Sequence, residues 1–256
     1  HTLVHVLGLM VFYPLFPTVA GRAEMWIPET ERVLLRYIHK TDPSVEEAAM
    51  EAFRKEIKNQ LLSTLSYMEN AVLSGTGRAG GRVRGQISYE DLEEYNALIF
   101  EYYSKIQSSG LKESIADPLE KLLRGSRNIM NAAKNMHESL DEFAAVSREP
   151  DTLHREAWGS IRERIERLIS TGRELETAES EEKRAAVLQS VEALFEWSEQ
   201  KDKEFIRMCS GAVKDPVFRK TEITFLLMLN RLVTQSCRMM VYGMKALLRH
   251  ENDAEK

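Results

Sequence analysis

The stretch that decides the fold is IADPLEKLLRGSRNIMNAAKNMHESLDEF, residues 115–143. Apolar and small residues recur in it at steps that alternate between four and three, namely Ile115, Leu119, Leu122, Ser126, Ile129, Ala133, Met136, Leu140 and Phe143. This is the period of a helix that packs lengthwise against others in a bundle. The stretch therefore predicts one long amphipathic helix, with Pro118 near its N-terminus.

Five other segments show the same helical periodicity, two before this stretch and three after it. Ser44 and Ser88 each precede such a segment and have an acidic residue three positions later, the spacing of a capping box. REPDTLH then breaks the pattern, and its Asp151 is the predicted N-cap of the next helix. The sequence thus predicts an all-α fold of two three-helix repeats, residues 44–148 and 149–256. The repeat is inferred from layout, because the two halves share little residue identity.

The amino-acid composition of the chain excludes some classes of function. The chain has 256 residues, 43% of them hydrophobic and 29% charged, which suits a helical protein with a sizeable core. A net charge of −5 argues against a general nucleic-acid binder, which needs an excess of Lys and Arg to meet phosphates. Cys209 and Cys237 lie in apolar helical segments without metal-ligand spacing, so we expect buried free thiols in a reducing compartment rather than a disulfide.

The first residues, HTLVHVLGLMVFYPLFP, form an apolar run without formal charge. Residues 1–21 are long enough to cross a bilayer as a helix, and we expect them to be the last transmembrane helix of a longer protein. Basic residues follow the run, which places residues 22–256 on the cytoplasmic side. Residues 22–43 are the predicted interfacial connector helix. The alternative is a hydrophobic helix buried in a soluble protein.

Residues that carry chemistry are sparse. Gly75, Gly77 and Gly80 match a dinucleotide-binding pattern, but they follow a helix instead of a strand, so we interpret this segment as an arginine-containing loop. The six histidines do not cluster, and no nucleophile or catalytic triad can be assigned. We therefore expect no enzyme activity, no catalytic residue, no metal site and no cofactor.

Two kinds of segment resemble known families. The opening run is similar to the final membrane helix of bacterial sodium-phosphate cotransporter family proteins, although Val4 and His5 replace the Phe and Asn of that pattern. SRNIMNAAKNM, residues 126–136, resembles the third-helix signature of PhoU proteins, and LNRLVTQSCRMM, residues 229–240, resembles a second copy more faintly. The resemblance implies a PhoU-like bundle of two three-helix repeats that follows a transmembrane helix.

The chain departs from the PhoU pattern at the metal-binding carboxylates. The Glu and Asp of the signature fall on Arg127 and Asn131 in the first copy and on Thr234 and Arg238 in the second. A guanidinium does not ligate a divalent cation, so the metal function is expected to be lost. What remains is a candidate face for an anion or a partner, or for plain interhelical hydrogen bonds, formed by Arg127, Asn131, Asn135, Arg231 and Arg238.

The resemblance implies a non-catalytic, regulatory or scaffolding region of a sodium-dependent phosphate transporter in the bacterial inner membrane. Sodium and phosphate would be handled by a transport domain that precedes this chain, and residues 1–21 would lie in the membrane. The resemblance is compatible with a dimer, and nucleic acid is not an expected partner. The alternative is a soluble PhoU-like regulator of phosphate uptake, or a helical adaptor that binds a partner protein.

Overall fold

Seven α-helices make up most of the chain that the computed structural model describes, which is residues 35–73, 86–110, 113–215 and 217–248. They are α1 Glu46–Met68, α2 Tyr89–Ser108, α3 Glu113–Glu138, α4 Leu140–Arg148, α5 Thr152–Arg173, α6 Glu181–Ala212 and α7 Lys220–Leu248. Short 3₁₀ turns lie at Ile38–Lys40 and Glu174–Thr177, and α1 continues into a π-helical turn, Glu69–Leu73. Within the described residues the predicted all-α class is confirmed.

Local capping explains where several helices begin. Ser88 and Asp91 form the predicted capping box, because the Asp91 N–H donates to Ser88 Oγ at 3.2 Å and the Ser88 N–H donates to Asp91 Oδ2 at 2.8 Å. Asp151 accepts from the His154 N–H at 2.9 Å, so its predicted role as N-cap is also confirmed. The capping box predicted at Ser44 is wrong. Asp42 accepts the Ser44 N–H at 2.9 Å instead, and α1 begins one residue later without a side-chain cap.

The long helix predicted over residues 115–143 is interrupted at Ser139. Its N–H donates to the Met136 carbonyl at 3.3 Å, three residues back, and its hydroxyl donates to the Asn135 carbonyl at 2.8 Å. A serine hydroxyl that occupies a helical carbonyl in this way competes with the regular backbone ladder. The prediction of one continuous helix is therefore wrong, and α3 and α4 are separate.

Six of the helices pack as two groups of three that meet mainly along one contact. Helices α1, α2 and α3 contact one another, and so do α5, α6 and α7. The most extensive contact in the described bundle joins α3 to α7, one helix from each group, while α1 also contacts α5. All of these helices belong to one compact unit that begins at Leu35.

Burial follows the same pattern in both groups. Ile57, Gln60, Leu61 and Leu65 of α1 are buried. The residues 104 positions later in α5 are also buried, namely Ile161, Arg164, Ile165 and Ile169. The same offset relates buried positions of α3 and α7, where Ser126, Ile129, Ala133 and Met136 correspond to Asn230, Val233, Cys237 and Met240. The two groups thus share their inward-facing positions although few of their residues are identical.

The contact between α3 and α7 is close because glycines lie in it. The two helices run antiparallel, and a Cβ placed at Gly243 would lie 2.6 Å from Ile129 Cγ1 and 3.3 Å from the Gly125 carbonyl oxygen. A Cβ at Gly125 would in turn lie 2.8 Å from the Ala246 Cβ. The distances of 2.6 and 2.8 Å are shorter than van der Waals contact, so only glycine at positions 243 and 125 permits this separation of the two helix axes.

Several predicted features lie outside the described residues. They include the proposed transmembrane helix of residues 1–21, the glycine-containing loop at residues 75–85 and most of the connector of residues 22–43. The described end of the connector contains the 3₁₀ turn Ile38–Lys40. None of the helices in the described part combines the length and apolarity that crossing a bilayer requires.

We predict that Gly243→Ala destabilises the bundle by about 1–3 kcal/mol, because the added methyl group forces α3 and α7 apart. Gly159→Ala is the matched control, since Gly159 lies within α5 and a Cβ there meets nothing within 4 Å. That control should stabilise the protein by about 0.5–1 kcal/mol through helix propensity. Urea unfolding followed by circular dichroism measures both changes, and equal stability of the two variants would contradict the prediction.

Candidate functional site

A buried carboxylate on α1 holds the chain segment that precedes the bundle. Glu56 is fully buried. Its carboxylate accepts the backbone N–H of Arg36 at 3.1 Å, of Tyr37 at 2.7 Å and of Ile38 at 3.0 Å. Three successive amides that converge on one carboxylate satisfy a buried charge well. The segment at residues 36–38 is therefore fastened to α1 through its backbone, independently of its side chains.

Tyr95 of α2 supports this carboxylate from the other side. Its hydroxyl donates to Glu56 Oε1 and accepts from Asn59 Nδ2 at 2.6 Å. Burial and, after it, the neighbouring Glu56 carboxylate raise the pKa of the Tyr95 phenol, so the hydroxyl remains a donor at neutral pH.

The polar cluster continues one helical turn further along α1. Ser126 of α3 donates its hydroxyl to Gln60 Oε1 at 2.7 Å, and Gln60 Nε2 donates to Asn96 Oδ1 of α2 at 3.3 Å. We call Glu56, Gln60, Tyr95, Asn96 and Ser126 the first polar centre. It joins all three helices of the first group by hydrogen bonds.

An arginine occupies the corresponding place in the second group of helices. Arg164 of α5 is fully buried, and its Nη1 donates to Thr234 Oγ1 at 3.0 Å and its Nη2 to Asn230 Oδ1 at 2.7 Å. Its Nε donates to the Ser160 carbonyl at 3.3 Å. The guanidinium also lies over the Phe205 ring, 5.6 Å from the ring centroid.

The carboxylate that balances the charge of Arg164 is connected to it through two other side chains. Asp202 Oδ1 of α6 accepts from Asn230 Nδ2 at 2.6 Å and from Thr234 Oγ1 at 2.9 Å. Burial lowers the pKa of the Arg164 guanidinium, while Cys237 and Asp202 act in the opposite direction. Arginine nevertheless remains protonated in proteins, so the charge persists. We call Arg164, Asp202, Asn230 and Thr234 the second polar centre.

The two polar centres position helices relative to one another. Glu56, Gln60, Ser126 and Arg164 have no exposed surface, so a substrate cannot reach them unless the helices separate. What the arrangement can do is fix the register of three helices in each group and connect residues 36–38 rigidly to the first group. A displacement of that segment would therefore be passed to α1 and α2.

The candidate face predicted from the PhoU signature does not form one cluster of free groups. Arg127 and Asn131 lie on the exposed side of α3, where the Arg127 guanidinium is 5.8 Å from the centroid of the Phe100 ring. Asn135 is half-buried and contacts Met239 Sδ at 3.9 Å. On α7, Arg231 is exposed, and Arg238 donates to both carboxylate oxygens of Glu199, at 2.5 and 2.7 Å.

Buried polar residues lie directly beside this face. Ser126, which the periodicity places on the inward side of α3, precedes Arg127, and Asn230 precedes Arg231. Both form hydrogen bonds within the polar centres. The sequence prediction missed Asn230 and Arg164. The available signal was periodicity, because Arg164 lies three residues after Ile161 and four before Leu168, which places it on the apolar side of α5.

Metal and thiol chemistry can be stated for the described residues. Among them no group of three or more His, Cys, Asp or Glu side chains is arranged to hold a metal ion. Cys209 and Cys237 are both buried and free, as predicted, and burial raises the pKa of each thiol, to about 11 for Cys209. Neither thiol has the lowered pKa of a nucleophile.

No protein-family model matches the chain, and neither a curated protein nor a solved structure matches it. The function is therefore argued from the two polar centres together with the resemblance of the short sequence segments.

We predict that Glu56→Gln destabilises the protein by about 1.5–3 kcal/mol, because an amide cannot accept all the donors that converge on the carboxylate. Hydrogen exchange of the amides of residues 36–38 should accelerate in this variant. Glu51→Gln is the matched control on the same helix, since Glu51 is exposed and pairs only with Lys55. Unchanged exchange at residues 36–38 in Glu56→Gln would rule out the proposed attachment.

Arg164→Lys tests the second polar centre. Lysine keeps the charge but cannot direct separate donors to Thr234, Asn230 and Ser160, so we expect a loss of about 2–3 kcal/mol in the free energy of unfolding. Arg162→Lys, two residues away, should change little, because Arg162 forms an exposed pair with Glu166. Denaturant unfolding compares the two, and a tolerated Arg164→Lys would contradict the role of the guanidinium geometry.

Proposed function

We propose that this chain is the cytoplasmic, non-catalytic regulatory region of a sodium-dependent phosphate transporter of the bacterial inner membrane. In this proposal residues 1–21 cross the membrane, and a transport domain that precedes them carries sodium and phosphate. Residues 44–148 and 149–256 form a PhoU-like pair of three-helix repeats that biases the transporter between conformations.

The observation that carries this proposal is the attachment of residues 36–38 to Glu56. These residues belong to the predicted connector, which follows the predicted membrane segment, and their three backbone amides donate to one buried carboxylate. A flexible linker would decouple the bundle from anything N-terminal to it. A backbone attachment of this kind instead makes movement of that segment and the arrangement of α1 and α2 depend on each other, which is what regulation through a bundle requires.

One further observation supports the PhoU-like description. The inward-facing positions of α1 and α3 recur in α5 and α7 at a constant offset, as expected for a duplicated three-helix unit. The signature carboxylates are replaced by Arg127, Asn131, Thr234 and Arg238, so the proposed regulatory role does not rely on metal binding at those positions.

The proposal is tested by measuring the sodium-dependent uptake of labelled phosphate in cells that express the complete gene. Removal of residues 44–256 should change the uptake rate or its response to external phosphate. Glu56→Gln should shift uptake in the same direction while the variant protein remains helical, because it releases the attachment without removing the bundle. Glu51→Gln should behave as the unaltered protein. Uptake and regulation that are unchanged by the deletion would refute the proposal.

Membrane association distinguishes the second candidate, a soluble PhoU-like regulator or helical adaptor. We expect the full chain to sediment with membranes and a chain without residues 1–21 to remain in solution. If the full chain stays in solution without detergent and the shortened one aggregates, residues 1–21 form part of a soluble core, and the adaptor function replaces the transporter function.

A further inference from the structure

A cleft of about 540 Å³ opens beside the first polar centre, where the two groups of helices meet. Its walls come from residues 36–37, from α1, from the turn after α5, from the start of α6 and from the end of α7. This volume is within the range of small-molecule binding sites in proteins. None of the residues of either polar centre lines it.

The described residues that line the cleft have a net charge opposite to that of the whole chain. Five of their side chains are basic, Arg36, Arg54, Lys55, Lys58 and Arg184, and three are acidic, Glu51, Glu176 and Glu179. These residues therefore have an excess of two positive charges, whereas the chain has a net charge of −5. An excess of two matches the dianion of a phosphate monoester better than the single charge of a carboxylate.

Arg54 has an unsatisfied donor at this site. Its Nε is buried and has no hydrogen-bond partner, although it lies in a wall of the cleft. A buried donor of a charged group that lacks a partner is unfavourable, and such groups in native proteins call for an explanation. Arg54 as a whole is half-buried, so an anion in the cleft that draws its guanidinium outward would supply the missing acceptor.

Lys58 lies close to the same place. Its Nζ donates to the Glu176 carbonyl at 3.3 Å, and burial, with a smaller contribution from the neighbouring Arg184, lowers the pKa of its ammonium group. A bound anion would favour the charged form of Lys58 and offset the repulsion from Arg184.

The remaining wall is apolar. Leu62, Leu175, Leu247 and Leu248 line the cleft, and Leu62 is half-buried while the other three are almost entirely buried by the bundle. Basic groups on one side and leucines on the other suit a ligand that has an anionic head and an apolar body, because each part meets its preferred surroundings.

We propose that this cleft binds a phosphate monoester carried on an apolar body, with the phosphate at Arg54, Lys58 and Arg36 and the apolar part against Leu62 and the leucines behind it. This site is independent of the transport function proposed above. A soluble nucleotide monophosphate and the head group of phosphatidic acid share this chemistry, and the experiment distinguishes them.

Isothermal titration of the purified full chain with hexyl phosphate is the primary test. Hexyl phosphate should bind more tightly than inorganic phosphate, since only the former reaches the leucines. AMP and phosphatidylcholine vesicles that contain phosphatidic acid are then titrated, and binding of one or the other identifies the source of the ligand. Absence of hexyl phosphate binding would overturn the proposal, and equal affinity for inorganic phosphate would overturn the role of the apolar wall.

The variant Arg54→Met separates a binding role from a structural one. It should weaken hexyl phosphate binding by about tenfold to a hundredfold, the effect of a lost charge-assisted hydrogen bond. It should also raise the Tm of the ligand-free protein, because it removes a buried donor without a partner. Arg162→Gln makes the same change of charge on an exposed face and should alter neither quantity. Unaltered affinity in Arg54→Met, or a lower Tm, would contradict the assignment.

Discussion

The close contact of α3 with α7 is the constraint on which the described bundle depends. Each helix is the third of its group, and glycines at the crossing allow the two backbones to approach without intervening side chains. Because interiors pack at nearly crystalline density, this separation also sets how far apart α1 and α5 can lie. The position of the cleft between the two groups therefore follows from the geometry of two helices that contribute little to its walls.

Each polar centre contains one charged side chain that is fully buried, Glu56 in the first and Arg164 in the second, and the two charges differ in sign. Glu56 is satisfied mainly by backbone amides that come from outside the three-helix group, whereas Arg164 is satisfied by side chains of its own group. Gln60 and Arg164 occupy equivalent inward positions of α1 and α5. The apolar layers are thus similar in both groups while the polar centres have different chemistry. The first centre accepts amides from the chain segment that precedes the bundle, whereas the second centre is formed by residues of its own group.

Periodicity was sufficient to predict the helices and most of their buried residues, and capping chemistry predicted the starts of α2 and α5. Periodicity failed at Ser139, which lies between the heptad positions Met136 and Leu140 and whose hydroxyl competes with the backbone ladder. The polar centres were not predicted, because their partners are far apart in sequence. Glu56 and Tyr37 are separated by a turn and half a helix, and nothing local marks that carboxylate as an acceptor of backbone amides. The candidate face from the family signature stays a prediction, and two of its residues, Arg127 and Arg231, adjoin the buried positions Ser126 and Asn230.

The attachment of residues 36–38 and the basic cleft share Arg36 and Tyr37. The backbone amides of both residues donate to Glu56, and both residues also line the cleft. A ligand in the cleft would therefore contact the same segment that the carboxylate holds. Linkage then requires reciprocity: an anion that binds better when the segment is attached must strengthen the attachment by the same factor, and release of the segment must weaken the anion. In a protein whose N-terminal part moves, a ligand that binds the attached and released states of this segment with different affinity makes that movement sensitive to its concentration.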